Sequence, residues 1–186
     1  MSNAYARRSD VYLTEPSGRL GMSGISFPYT PTITVMNSSN YSSYTITHSN
    51  FQQMAFDLSN NAVIQLTCPI VVRDSEEVQT IIAMADFLRG SLKMGFGRNR
   101  QPDVGRPPPM LQFNAYGVYK NVPVLVQDFT WNFDNDVDYI QSGEYKIPVS
   151  SMFAMTLQTS YGADKVRNDF TLRGYATGQL RNKGYV

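Results

Sequence analysis

Apolar and polar residues alternate along much of the chain with the period of two that is typical of β-strands. The clearest case is the segment in which Phe129, Trp131 and Phe133 are separated by Thr130 and Asn132. Successive side chains of a strand point to opposite faces, so three aromatic rings share one face here. The same reasoning predicts strands near residues 32–36, 41–47, 61–69, 110–116, 122–126, 129–133 and 149–157.

A single segment has a clear helical period instead. Asp74 is a favourable N-cap residue, and Glu77 follows it at the spacing of a capping box. Arg89 and Lys93 place positive charge near the other end, where it suits the helix dipole. We therefore predict a helix at about 74–94 that covers one face of a sheet. Its apolar residues recur at the spacing of one buried face: Val78, Ile81, Ile82, Ala85, Leu88 and Leu92.

The chain divides into two zones by composition. Residues 1–60 are rich in Gly, Ser, Thr, Tyr, Asn and Pro, which is typical of extended segments. We predict an extended N-terminal arm with short strands over 1–60, and a β domain over 61–186. The β domain carries the helix at about 74–94 and a short helix within 166–176. The predicted fold class is mainly β with one major α-helix (α+β).

Length, charge and cysteine content narrow the class of protein. The chain has 186 residues, 42% of them apolar and 12% aromatic, enough for one domain with a sizeable core. A formal charge of +1 gives no net attraction to nucleic acid or anionic lipid. No apolar run approaches the length of a bilayer, and the N-terminus is polar, so we expect no membrane insertion. Cys68 is the only cysteine, which excludes an internal disulfide and fits a reducing compartment.

Residues able to support catalysis are few. His48 is the only histidine, so a zinc site, a histidine triad or a Cys-His pair would require His48 and Cys68 to meet in the fold. The glycines of 95–97 follow a helix and do not join a strand to one, which leaves nucleotide binding unsupported. Residues 21–24 are one residue short of a nucleophile elbow. We expect no enzyme activity, no catalytic residue, no cofactor and no metal.

Three alternating aspartates, Asp134, Asp136 and Asp138, resemble the start of a calcium loop. An EF-hand loop also needs glycine at its sixth position and glutamate at its twelfth, but Tyr139 and Tyr145 stand there. Carboxylate pairs also serve glycoside hydrolysis. Aspartates that alternate at the end of a strand favour a solvated loop or a contact between subunits.

Positive charge is concentrated upstream of these acids. The run comprises Arg89, Lys93, Arg98, Arg100 and Arg106, interrupted by Asp103. Residues 128–138 carry only acidic charge. One interpretation is a solvated helix end and loop. Another is that the basic run of one subunit meets the acidic loop of a neighbour, since opposite local charges favour ordered association. Nucleic-acid binding is a third, although Phe96 is the only aromatic side chain interleaved with the run.

Several segments carry a resemblance to a known family. Residues 106–109, 113–117, 121–126 and 136–139 resemble the baseplate-associated tail-tube proteins of large contractile-tailed bacteriophages, which join the tube to the baseplate. The likeness extends to residues 67–70, 76–94, 167–172 and 180–184, and so spans about 60–186.

This resemblance implies an antiparallel β-sandwich or barrel of the tail-tube type, with six copies closing into a ring around a channel. Such a ring would extend the baseplate hub and template polymerisation of the tail tube. Its partners would be copies of itself and the neighbouring tail-tube, baseplate hub and sheath proteins. DNA would pass the lumen without specific binding, past polar or acidic loops. The protein would be assembled in the host cytoplasm and reside in the virion.

Contacts between subunits are expected at both ends of the segment that carries the strongest resemblance. The candidate residues are Arg98, Arg100, Arg106, Pro107, Pro108, Pro109, Asp134, Asp136, Asp138 and Tyr139. Two other functions stay open: the main tail-tube subunit, or the tube protein of a contractile secretion system. A carbohydrate-binding β-sandwich of a tail fibre is less favoured, because such modules expose several aromatic platforms and the chain has a single tryptophan, Trp131.

Overall fold

A computed structural model describes residues 10–96 and 104–186. Within them the chain is mainly β, as the sequence predicts. The strands are β1 (Val11–Thr14), β2 (Gly24–Ser26), β3 (Thr32–Met36), β4 (Ser39–Tyr44), β5 (Gln53–Ser59), β6 (Val63–Val71), β7 (Leu111–Ala115), β8 (Tyr119–Phe133), β9 (Tyr139–Ser142), β10 (Tyr145–Pro148) and β11 (Ser150–Thr159). The helices are α1 (Ser75–Ser91), α2 (Ala163–Asp169) and α3 (Leu172–Ala176), followed by a 3-10 turn (Arg181–Lys183).

Seven strands form one antiparallel sheet in the order β2-β1-β7-β8-β11-β6-β3. Its two edge strands, β2 and β3, are joined by only residues 27–31. Six Cα steps span at most about 21 Å, whereas six strand spacings in a flat sheet would need about 29 Å. The sheet is therefore strongly curled, like a barrel.

Hydrogen bonds of the joining segment show how it crosses between the edges. Phe27 N donates to Val11 O at 3.2 Å, which holds the start of the segment against β1. Tyr29 then lies against β6, because its carbonyl accepts from Cys68 Sγ at 3.4 Å. Its hydroxyl donates to Val71 O at 3.3 Å. The fold is thus an antiparallel, curled β structure, and the fold class predicted from the sequence is confirmed.

Apolar side chains of the sheet's inner face form one core with α1. Phe27, Phe113 and Phe153 are fully buried in it, and the alternation along β6 and β11 supplies most of the rest. Phe153 makes edge-to-face contacts with Phe129 and Trp131, at centroid distances of 5.2 and 5.3 Å. The aromatic face predicted along residues 129–133 therefore faces the core, although Phe133 itself is exposed.

Helix α1 begins as its sequence predicts. Asp74 is the N-cap, and its Oδ1 accepts from the backbone N–H groups of Glu76 and Glu77 at 3.0 and 2.9 Å. The Glu77 carboxylate in turn accepts from Arg73 N at 2.8 Å. Burial differs in detail from the predicted face. Ile82 is only half-buried, whereas Met84 and Phe87, which were not in the predicted set, are buried. The buried residues of α1 are Val78, Ile81, Met84, Ala85, Phe87, Leu88 and Ser91.

Residues 1–60 differ from the predicted extended arm. In the part that the structure describes, β1, β2 and β3 belong to the main sheet, and β1 pairs with β7 about a hundred residues later. Only β4 and β5 stand apart, as a separate two-stranded sheet. Strands of three or four residues are too short for an alternation pattern to reveal them, so β1 and β2 were not predicted.

The single cysteine provides a test of this core. Cys68 is fully buried on β6, and burial raises its pKa to about 11. Only a thiolate reacts with iodoacetamide, so we expect Cys68 to stay unmodified in the native protein at pH 8. Alkylation should become rapid in denaturant, where the pKa returns to about 8.5. Mass spectrometry of the intact protein checks both rates; rapid modification of the native protein would contradict the placement of Cys68.

Candidate assembly surfaces

Strands β4 and β5 form an amphipathic hairpin, called the hairpin below. Along β5, Met54, Phe56 and Leu58 alternate with other side chains and so share one face. Tyr41 of β4 is the cross-strand partner of Phe56 and packs edge-to-face on it, at a centroid distance of 5.7 Å. The opposite face carries a polar contact, in which Ser42 Oγ donates to the Asp57 carboxylate at 2.6 Å. One side of the hairpin is therefore apolar.

Within the described residues, nothing covers this apolar face. Its four side chains, those of Tyr41, Met54, Phe56 and Leu58, are between 49% and 61% exposed. Ile46 and Phe51 in the connecting turn are 48% and 83% exposed. An isolated two-stranded hairpin is marginally stable in water, and contiguous exposed apolar surface marks an interaction site. The hairpin is the most conspicuous candidate contact surface of the chain.

Only one of the two strands of the hairpin was predicted from the sequence. The strand predicted at 41–47 corresponds to β4, but its partner β5 was not predicted. The alternation of Met54, Phe56 and Leu58 was the available signal, and it is the usual mark of a strand with one apolar face.

The basic run is described only in part. Arg98 and Arg100 lie outside the described residues. Among the described residues that flank them, Gly95 N donates to Arg106 O at 3.1 Å and Gly105 N donates to Gly95 O at 2.6 Å. Arg89, at the end of α1, stacks over the Trp131 ring at 5.7 Å. The described residues on either side of Arg98 and Arg100 are thus hydrogen-bonded to each other shortly after the end of α1.

The three consecutive prolines are partly used inside the subunit. Pro107 O accepts from Arg19 Nη1 at 2.9 Å, and Pro109 is buried. Arg106, Pro107 and, in part, Pro108 are exposed. The structure therefore leaves Pro107 and part of Pro108 at the surface and fixes Pro109 in the body.

The aspartates lie in an exposed loop after β8. Asp134, Asp136 and Asp138 are all exposed, and no described cation pairs with them. Asp134 accepts from Ser150 Oγ at 3.3 Å, and Asp138 O accepts from Val149 N at 2.7 Å, so the loop is anchored to β11. Tyr139, which follows, lies 5.5 Å below Lys146 Nζ. The structure does not test the predicted contacts between subunits, which stay predictions.

The outward surface of β3, β6, β11 and β8, called the outer face below, is almost free of charge. Its residues align in rows across the four strands. One row contains Thr32, Thr67, Ala154 and Thr130, and the next contains Thr34, Gln65, Thr156 and Asp128. The bulge beside Asp128 adds Gln127, whose amide donates to Gln158 Oε1 at 2.6 Å. This face offers hydroxyls, amides and one carboxylate, and no Lys or Arg in these rows.

The last helices form a second apolar surface, called the C-terminal groove below. It is a cleft of about 580 Å³. Its apolar and aromatic lining residues are Ala62, Tyr161, Val166, Phe170, Leu172, Tyr175, Tyr185 and Val186. Asn37, Ser38, Ser39, Ser59, Asn60 and Asn61, at the base of the hairpin, complete its wall. Helix α2 has no buried residue, and the only buried residue of α3 is Gly174.

Aromatic contacts fix the floor of the C-terminal groove. Tyr185 stacks on Tyr161 with a centroid distance of 4.8 Å, and its hydroxyl donates to Lys165 O at 3.2 Å. Burial raises the pKa of both Tyr161 and Tyr185, so both phenols stay neutral through the physiological range. Val186 N donates to the Tyr161 hydroxyl at 3.2 Å. Stacking and hydrogen bonds therefore hold the floor of the groove, and its described lining residues include no charged side chain.

Two further features bear on the class of protein. Among the described residues, no helix is both long enough and apolar enough to cross a membrane. The same residues bring together no group of three or more His, Cys, Asp or Glu side chains that would hold a metal ion. The fold is that of a mainly antiparallel β protein. The hairpin and the C-terminal groove are two apolar surfaces that no other described residues cover.

Comparisons with known proteins add little to this description. No protein-family model and no curated protein matches the chain. Among solved structures, a similar chain comes from the tail of an empty GTA particle with C6 symmetry. The two chains share 9% identity over 83% of this chain and 92% of that one, with a TM-score of 0.36. At this score the likeness establishes neither a common fold nor a common function.

Proposed function

We propose that this chain is a structural tail protein of a phage or phage-like particle and that it acts by self-association, without catalysis. More specifically, six copies form a ring at the baseplate end of the tail tube, extend the baseplate hub and template polymerisation of the tube. The observation that carries this proposal is the hairpin, whose apolar face is exposed in the single chain. Such a face needs a protein partner in water, because exposed apolar surface is costly to hydrate.

The outer face suits the wall of a channel for DNA. Proteins hold the phosphate groups of DNA mainly with Lys and Arg. These contacts release counterions from the DNA, and that release favours binding. The rows that contain Thr67 and Thr156 place no cation on this face, and Asp128 adds a repulsive charge. A duplex could therefore slide past the face without being retained. Strands of the outer face therefore supply the polar groups that a lumen needs, in addition to the polar or acidic loops expected from the sequence.

The opposite charges at the two ends of segment 98–138 give the ring a lateral contact. In this proposal the basic loop that contains Arg98 and Arg100 meets the acidic loop that contains Asp134, Asp136 and Asp138 of the next copy. A closed ring uses such heterologous contacts, in which two different surfaces of each subunit meet. Neighbouring tube, hub and sheath proteins would bind the remaining surfaces.

Electron microscopy of the purified protein tests the proposal. We expect sixfold rings, because the family resemblance implies six copies around a channel. A stable monomer that binds glycans would overturn the proposal and would instead support a carbohydrate-binding module.

Charge reversal tests the lateral contact in particular. Arg98→Glu combined with Arg100→Glu should prevent ring formation, since it places like charges opposite each other. Adding Asp134→Lys and Asp136→Lys to the same chain should restore rings. The matched control is Arg73→Glu with Lys120→Glu, which changes the net charge equally at exposed positions outside the basic run. Rings that persist in the first variant would remove this contact from the proposal.

A further inference from the structure

We infer that the C-terminal groove of one copy receives the tip of the hairpin of a second copy. This inference rests on the proposed function in taking the partner to be another copy of the chain. It assigns a receiving surface to the hairpin and a ligand to the groove, two features that have no partner within the described chain.

The groove has the chemistry of a receptor for apolar side chains. Leu172 is 76% exposed, and Val166, Phe170 and Tyr175 on the same rim are each exposed as well. A volume of about 580 Å³ accommodates two or three large apolar side chains. At the tip of the hairpin, Phe51 offers such a side chain at 83% exposure.

The hairpin cannot fill the groove of its own chain. Ser38, Ser59 and Asn60, at the base of the hairpin, line the groove. Strand β5 has seven residues, and at about 3.3 Å per residue it carries the tip roughly 23 Å away from that base. Paired strands are too stiff to fold back over this distance. The tip that enters a groove therefore comes from another molecule.

Charge also favours this pairing. Residues 39–59 contain one acidic side chain, Asp57, and no Lys or Arg. Residues 161–186 contain five basic and two acidic side chains. A hairpin without Lys or Arg meets no repulsion from this net positive segment.

The geometry makes the contact directional. Each copy has its groove at the base of the hairpin and its ligand at the tip, so a copy receives at one end and donates at the other. Such a heterologous contact does not close on itself and repeats in one direction. It would stack one ring upon the next, whereas the charged loops act within a ring.

Disulfide cross-linking between two cysteine variants tests the inference on the full chain. One preparation carries Phe51→Cys and the other carries Leu172→Cys, and both retain the buried, unreactive Cys68. The control pairs Phe51→Cys with Tyr145→Cys. Tyr145 is also exposed, at 48%. It follows the end of β8 in the sequence, whereas the 3-10 turn contacts the start of β8 through the hydrogen bond between Lys120 and Asn182.

We expect the first pair to cross-link at least on the order of a hundredfold faster than the control, because a contact raises the effective concentration of the thiols to about the millimolar range. Equal rates, or faster linkage of the control, would overturn the assignment of the groove. If rings are seen by microscopy but the two pairs cross-link at equal rates, the proposed function stands and only the assignment of the groove fails. Absence of both rings and cross-links would refute the proposed function and the inference together.

Discussion

Replacing Met54 and Phe56 by aspartate is expected to abolish the association that the hairpin mediates while the subunit stays folded. Both side chains lie on the apolar face of the hairpin and are 61% and 58% exposed in the single chain, so the core loses nothing. Central apolar residues of an interface contribute about 2–4 kcal/mol each. Loss of both should weaken association by on the order of a thousandfold or more.

Sedimentation velocity over a range of protein concentrations measures this effect. The matched control is Gln53→Asp with Ala55→Asp, which adds the same charge to the opposite face of the same strand. Association should survive in the control. If neither pair of substitutions changes the association constant, the apolar face of the hairpin is not an interface. If both abolish association, added charge and not the lost apolar contact is the cause.

Phe153→Ala is expected to cause the largest loss of stability among single core substitutions. Phe153 is fully buried at the centre of the sheet, between its cross-strand partners Cys68 and Trp131. Truncation leaves a cavity and removes the edge-to-face contacts with Phe129 and Trp131. Such truncations cost about 3–5 kcal/mol in the free energy of unfolding.

Urea unfolding followed by tryptophan fluorescence measures the loss, since Trp131 is the only tryptophan. The neighbouring substitution Met152→Ala is the control, because Met152 lies on the opposite face of β11 and is 40% exposed. It should cost less than about 1 kcal/mol. Equal losses for the two variants would contradict the burial of Phe153.

The sequence predicts the parts of the fold that depend on local pattern. The N-cap at Asp74 and the alternation from Phe129 to Phe133 both have their physical cause within a few residues, and both elements are present. Strand β3 matches its predicted bounds for the same reason. Here the periodicity alone contains enough information to define the element.

The parts that were not predicted depend on distant residues. Strand β1 is only four residues long, and its alternation has meaning only beside β7, where Leu13 meets Phe113. The C-terminal groove arises because the base of the hairpin and α3 meet in space, although more than a hundred residues separate them. No periodicity within one segment can report such a meeting.

Candidate contact residues fall between these cases. Their charge pattern is visible in the sequence, and the exposure of Asp134, Asp136 and Asp138 agrees with a surface role. Pro109 is buried in its own subunit, so it acts there as a packing residue. Whether a charged loop has a partner depends on a second molecule, which one chain does not contain.

The strand order also constrains how the protein is made. Strand β11 leaves the ribosome after the other six strands of the main sheet, yet it lies between β8 and β6. Before it emerges, β2, β1, β7 and β8 can form only one half-sheet, and β6 and β3 another. Pairings between such distant segments are slow to form. The main sheet is thus completed only after β11 has been synthesised, so translation delays assembly until residues 150–159 have emerged.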